Sequence, residues 1–211
     1  MRSQPPVSSL TERILDLVQA VDRGHDFTNV NRAEKYFSDC LRDVIVHGGD
    51  TAHREVAYLD SQKHCDLFAD IGGQRCYLEV KLLFPTYWAS RWPARGRQRL
   101  LDPLESFTLP PESHSAARDL AKLATHRLDR PDQLGILIVS SHDAHYDTDH
   151  DFATLASLTR LDQPPWVQAV RRFPNTHWHA KGGYQLDARI WLCPADRLAG
   201  WWETVKHLYG T

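Results

Sequence analysis

Asp66, Glu79 and Lys81 are the residues of this chain whose types and spacing could do chemistry. They lie in CDLFADIGGQRCYLEVKLLF, residues 65–84, which reads as two strands joined through Gly72-Gly73, a dipeptide suited to a two-residue hairpin turn. With those glycines as the loop, Ile71 faces Gln74, Asp70 faces Arg75, Phe68 faces Tyr77 and Asp66 faces Glu79, with Lys81 further along the same face. The other face collects Leu67, Ala69, Ile71, Cys76, Leu78, Val80 and Leu82, so a slip of one residue would invert every side chain. Directly opposed residues have Cβ atoms about 4.5–5.5 Å apart, and like charges in that relation repel. A divalent cation between the two carboxylates would relieve the repulsion. Mg²⁺ suits the place, since it takes one or two carboxylates together with water and phosphate oxygens. Lys81 could then orient a water or stabilise charge developing on phosphate. The chemistry predicted is metal-assisted phosphodiester hydrolysis. The plainer alternative is a solvated face on which Lys81 merely neutralises two acids.

Several elements must position this hairpin. Leu10, Ile14, Leu17, Val18 and Val21 have helical spacing over residues 9–22, with Gly24 as a stop. A second helix is predicted over about 31–46, with Tyr36, Phe37, Cys40, Leu41 and Val44 on its apolar stripe, followed by a short strand over 54–59. After the hairpin, residues 85–112 are rich in proline, tryptophan and arginine and hold no period, which marks an insertion. A helix over 113–129 follows, with Ala117, Leu120, Leu123, Ala124 and Leu128 inward; then LGILIVS (134–140), an apolar run suited to a strand covered on both faces. Residues 142–151 read as a polar loop, 152–173 as mostly helical with a break at Pro164-Pro165, 184–193 as a strand, and 194–210 as a closing helix begun by Pro194. The order predicts a mixed sheet with helices on both faces.

Length and composition fit one domain spanning 1–211: 42% of the residues are hydrophobic and 25% charged. No apolar run approaches a membrane span, and MRSQPPVSSLTERILDL lacks the basic and apolar regions of a secretory signal. The four cysteines are scattered in no disulfide or metal-knuckle spacing, so reduced thiols in a cytoplasm are expected. The formal charge of −2 argues against a generic polyanion binder and requires any such contact to be local.

Asp66, a gap of twelve residues, then Glu79-Val80-Lys81, placed between a helix and strand on one side and a helix and buried strand on the other, resembles the PD-(D/E)XK nuclease superfamily over roughly residues 31–140. Cys65 stands where the family's name has proline. The resemblance implies a restriction-endonuclease-like α/β fold and a Mg²⁺-dependent nuclease in which Mn²⁺ can substitute. It places metal on Asp66, Glu79 and the Val80 carbonyl, and makes Lys81 the catalytic lysine. Glu34 would add an acid from the preceding helix, although Asn31-x-x-Glu34 also reads as a capping box; Glu55 is held in reserve. The implied substrate is nucleic acid, DNA ahead of RNA, and a symmetric cut would call for a homodimer.

Secondary signals have dull explanations beside them. Arg91, Arg95, Arg97 and Arg99, interleaved with Trp88 and Trp92, could hold phosphates and stack on bases, or could pack back onto the protein. Lys122 could face the same cleft or be the wet side of its helix. The run of His142, Asp143, His145, Asp147, Asp149, His150 and Asp151, with His177 and His179, suggests a zinc hydrolase as a rival, against a simple solvated acidic loop. The other rival is a binding module that keeps the scaffold without turnover.

Overall fold

The structure, a computed structural model, describes residues 7–24, 33–83, 116–142, 148–173 and 185–209. In chain order they form α1 (Val7–Gly24), α2 (Ala33–His47), β1 (Thr51–Ala57), β2 (His64–Ile71), β3 (Gln74–Leu83), α3 (Ala116–Thr125) and β4 (Gln133–His142). Then come α4 (Thr148–Thr159), β5 (Val167–Phe173), β6 (Gln185–Pro194), α5 (Ala195–Val205) and a 3-10 turn, Lys206–Tyr209. The described residues therefore make a mixed α/β architecture, with one six-stranded sheet ordered β1-β2-β3-β4-β6-β5. β3 and β4 run parallel, and the other neighbouring pairs are antiparallel. The proline-rich insertion at 85–112 lies outside the described residues.

Apolar periodicity explains the layers. In α1, Leu10, Ile14, Val18 and Val21 are buried and Leu17 half-buried, and with Phe37, Cys40 and Leu41 of α2 they cover one face of the sheet at Leu67, Ala69, Leu78, Val80 and Ile190. The opposite face packs Ala117, Leu120 and Leu123 of α3, Leu155 of α4 and Trp201 of α5 onto Tyr77, Ile136, Ile138 and Trp191. β4 lies between both layers, and Leu134, Ile136, Leu137, Ile138 and Val139 are all buried, as its unbroken apolar run requires. Gly135 in that strand answers a close approach: a Cβ there would lie 2.1 Å from the Trp191 carbonyl oxygen.

Residues 152–173 depart from the expected helix. The helix starts at Thr148, inside the stretch read as a loop, and stops at Thr159; after Pro164-Pro165 the chain becomes edge strand β5. Its period-two burial places Val167, Ala169, Arg171 and Phe173 toward the sheet's covered side. Arg171 hid that alternation, because a charged residue there looks outward in the sequence. It is accommodated by acids of α1, pairing with Glu12 at 2.6 Å and with Asp16.

The cysteines Cys40, Cys65, Cys76 and Cys193 are free thiols, all buried. Cys40 and Cys76 belong to the α1/α2 layer, Cys65 and Cys193 to the α3/α5 layer. Burial pushes the thiols of Cys76 and Cys193 up to about 12.

Candidate active site

The β2–β3 hairpin has the expected register, with Ile71 opposite Gln74, Asp70 opposite Arg75, Phe68 opposite Tyr77 and Leu67 opposite Leu78. Gly72 and Gly73 take φ values of +60° and +85°, which side chains rarely adopt. The ladder stops one row short of the acids. The β2–β3 register ends at Leu67–Leu78, and the β1–β2 register steps from Arg54–Leu67 to Val56–Cys65. Glu55, Asp66 and Glu79 thus fall in one interrupted row across three strands. Glu55 has φ +51°, and beyond it the side chains change face: Val56 and Cys65 join the α3/α5 layer while Leu67 joins α1/α2. At this break the Asp66 carboxylate takes a main-chain donor, accepting the Val80 N–H at 2.8 Å.

Glu55 pays for that turn in backbone strain, and its exposed ion pair with Arg54 at 3.3 Å returns little. The left-handed conformation costs an L-residue about 1–2 kcal/mol, against about 0.5–1 kcal/mol for the greater unfolded-state freedom of glycine. Glu55→Gly is therefore expected to raise the unfolding free energy by about 0.5–1 kcal/mol in urea titrations, and a loss of stability would show that the side chain matters more than its φ.

From Glu79 a polar network crosses the layer between β3 and α3. The Glu79 carboxyl is 0% exposed. The Tyr58 hydroxyl, just after β1, donates to its Oε1 at 2.8 Å, and Lys122 Nζ donates to its Oε2 at 3.0 Å. Lys122 also reaches Asp119 Oδ1 at 2.9 Å, and Lys81 Nζ pairs with Asp119 Oδ2 at 2.7 Å. Lys81 has Glu34 Oε1 at 3.8 Å, while Glu34 Oε2 accepts the Leu82 N–H at 3.1 Å. Glu34 thus ties α2 to β3.

The electrostatics follow from burial against pairing. Burial pushes the Glu79 carboxyl well above the usual range; the charges of Asp119 and Asp66 push the same way, and Lys122 and the Tyr58 hydroxyl offset this only in part. Burial would also raise Asp119, but Lys81 and Lys122 outweigh it and hold that carboxylate low. For Lys81, burial favours the neutral amine, yet Asp119 and Glu34 outweigh it, so the group stays an ammonium. Lys122 is raised for the same reason, Asp119 and Glu79 overcoming burial. A folded-state carboxyl raised above its unfolded value of about 4.3 makes stability fall as pH climbs from there toward the raised value. In chelator-treated protein, the melting temperature of Glu79→Gln relative to the parent should therefore increase from pH 4 toward neutrality. A constant difference across that window would mean Glu79 is already compensated.

The structure gathers Asp66, Glu79, Lys81, Glu34 and Lys122 around β3, with Glu79, Lys81 and Lys122 paired toward α3, Glu34 reaching in from α2 and Val80 joining through its main-chain N–H. It adds Tyr58 and Asp119, which the sequence reading missed. Asp119 had a signal: it stands three residues before Lys122, inside the apolar stripe of Ala116, Ala117, Leu120 and Leu123. Tyr58 had none, since nothing in its spacing links it to a residue twenty-one positions on. Arg91, Arg95, Arg97, Arg99, Trp88 and Trp92 lie outside the described residues, as do Asp143, His145, Asp147, His177 and His179. Of the His/Asp-rich stretch, Asp149 pairs with Arg172 at 3.3 Å and with Arg189. Among the described residues no three His, Cys, Asp or Glu side chains are grouped to hold a metal ion. Nor is any described helix long and apolar enough to cross a membrane. No family model, no curated protein and no solved structure matches the chain.

Proposed function

We propose that this chain is a Mg²⁺-dependent nuclease of the PD-(D/E)XK type, on a restriction-endonuclease-like fold, hydrolysing phosphodiester bonds in nucleic acid, with DNA ahead of RNA. One observation carries the reading: around β3, beside its parallel neighbour β4, a buried Glu79 and a buried charged Lys81 pair with Asp119 and Lys122 of α3, while the half-buried Asp66 sits on the Val80 N–H and Glu34 reaches in from α2. Four carboxylates meet two ammoniums there, an excess of two negative charges when all are ionised, which one divalent cation would balance.

The donor set fits such an ion. Asp66, Glu79 and the Val80 carbonyl offer hard oxygens of the kind Mg²⁺ takes, with water and substrate phosphate supplying the rest. When bound, the ion supplies a polarised phosphate and a water of lowered pKa. The remaining work falls to the chain. Asp66, anchored on the Val80 N–H, and Glu79, anchored on Tyr58, hold their carboxyl groups in fixed directions. Lys81, kept charged by Asp119, places a positive group at the end of β3 for charge developing on the phosphate. A homodimer in the cytoplasm is part of the same reading.

One observation favours the second reading, a binding module without turnover: both Glu79 oxygens already accept hydrogen bonds from the protein. Incubation with duplex and single-stranded DNA and RNA, in Mg²⁺, in Mn²⁺ and in chelator, decides between them. The nuclease reading expects metal-dependent cleavage that Glu79→Ala abolishes; cleavage that survives in that variant, or its absence throughout the panel, rejects it.

A further inference from the structure

Lys122 is the more exposed of the two lysines in the buried network. Asp119 and Glu79 have side-chain exposures of 7% and 0%, whereas Lys122 has 22%. Its ammonium rides on a flexible four-carbon stem from helix α3, while Glu79 is fixed in the middle of a paired strand. It also has two partners. Should it leave Glu79 Oε2, 3.0 Å away, it still has Asp119 Oδ1 at 2.9 Å, one helical turn back, so it need not be stranded without a counter-charge. Glu79 would likewise keep the Tyr58 hydroxyl on its other oxygen. Lys81 cannot exchange in this way: its side chain is 6% exposed and its close contact is Asp119.

We propose that Lys122 is a placeholder cation, holding Glu79 in the metal-free protein and displaced from that carboxylate by the divalent ion, which frees its ammonium for the substrate's phosphate. This rests on the metal reading above and adds a role for a residue that otherwise looks like a structural ion pair. It also accounts for the charge balance, since a single positive charge on Glu79 is replaced by a double one while Lys122 stays within the cluster. The placeholder gives Glu79, once ionised, a counter-charge at 3.0 Å in a site where a lone buried carboxylate would be strongly destabilising.

Mn²⁺ is the probe, titrated calorimetrically into chelator-stripped full-length protein without substrate. Removing the competitor in Lys122→Met should tighten Mn²⁺ binding by about tenfold, the factor that corresponds to 1.4 kcal/mol. Lys122→Arg, which keeps the charge, should bind no more tightly than the parent. If the methionine variant does not fold, Lys122→Gln removes the charge while retaining a donor toward Asp119, and the same tightening is expected. Parent-like or weaker binding in the neutral variants, with Glu79→Gln abolishing binding, overturns the placeholder role and leaves the metal site standing. No Mn²⁺ binding by the parent or by any Lys122 variant overturns both.

Discussion

Asp119→Ala should lower the unfolding free energy by about 3 kcal/mol, the lower end of the range seen when a buried ion pair loses one partner. Asp119 is the shared counter-ion of two lysines, at 2.7 Å from Lys81 and 2.9 Å from Lys122, so its loss leaves both ammoniums undercompensated in a buried layer. The lower end applies because each lysine keeps a second carboxylate: Glu34 at 3.8 Å for Lys81 and Glu79 at 3.0 Å for Lys122. With about 2–4 °C per kcal/mol for a chain of this size, the midpoint should drop by about 10 °C. Asp119→Asn, which keeps an acceptor and the shape, should cost distinctly less. Urea titration with an unchanged m-value is the measurement, and a loss below about 1 kcal/mol would mean that water, rather than Asp119, compensates the lysines.

For the nuclease proposed above, Lys81→Met is expected to cut kcat by about 10²–10³-fold, the usual cost of removing one group aimed at developing charge, with little change in substrate affinity. Methionine removes the charge at similar volume, so the loss is separated from a packing defect at this buried position. Because Asp119 and Glu34 hold the group as an ammonium, it acts as a fixed positive charge rather than as a base. The activity of the parent should therefore not rise with the deprotonation of a lysine. A fall in kcat/KM caused wholly by KM would reassign Lys81 to substrate binding. Glu79→Ala, by contrast, should eliminate metal-dependent turnover altogether.

The hairpin register was legible because Gly72-Gly73 fixes the loop and a clean period of two fixes the faces, and the observed pairs agree down to Leu67–Leu78. What the alternation could not reveal is the interruption at Glu55, Asp66 and Glu79, since a left-handed φ at a glutamate has no compositional marker. It is the break, not the ladder, that turns Asp66 onto the Val80 N–H. Glu34 shows a similar limit: the sequence left it open between an added active-site acid and a capping-box residue, and it reaches across to the Leu82 N–H, a choice made by tertiary contact. Lys122 stayed open between a cleft residue and the wet side of its helix because its partner Glu79 lies forty-three residues back, while Asp119 is one turn back. β5 was lost to the helical reading because an inward Arg171 finds its acids on α1, 155 and 159 positions away. For Lys122 and Arg171 the missing information was a long-range charge pairing, which hydrophobic pattern does not encode.

The distribution of thiols gives the protein an internal reporter. Two cysteines lie in each layer, and the strands between them are shared, so a thiol-specific reagent can reach any of them only through an opening of the native fold. Labelling rates at Cys40 and Cys76 would follow the lifting of α1 and α2, and those at Cys65 and Cys193 the release of α3 and α5. Mass spectrometry of the labelled sites would then tell whether the two sides of the sheet breathe together or in turn, without introducing a single foreign probe.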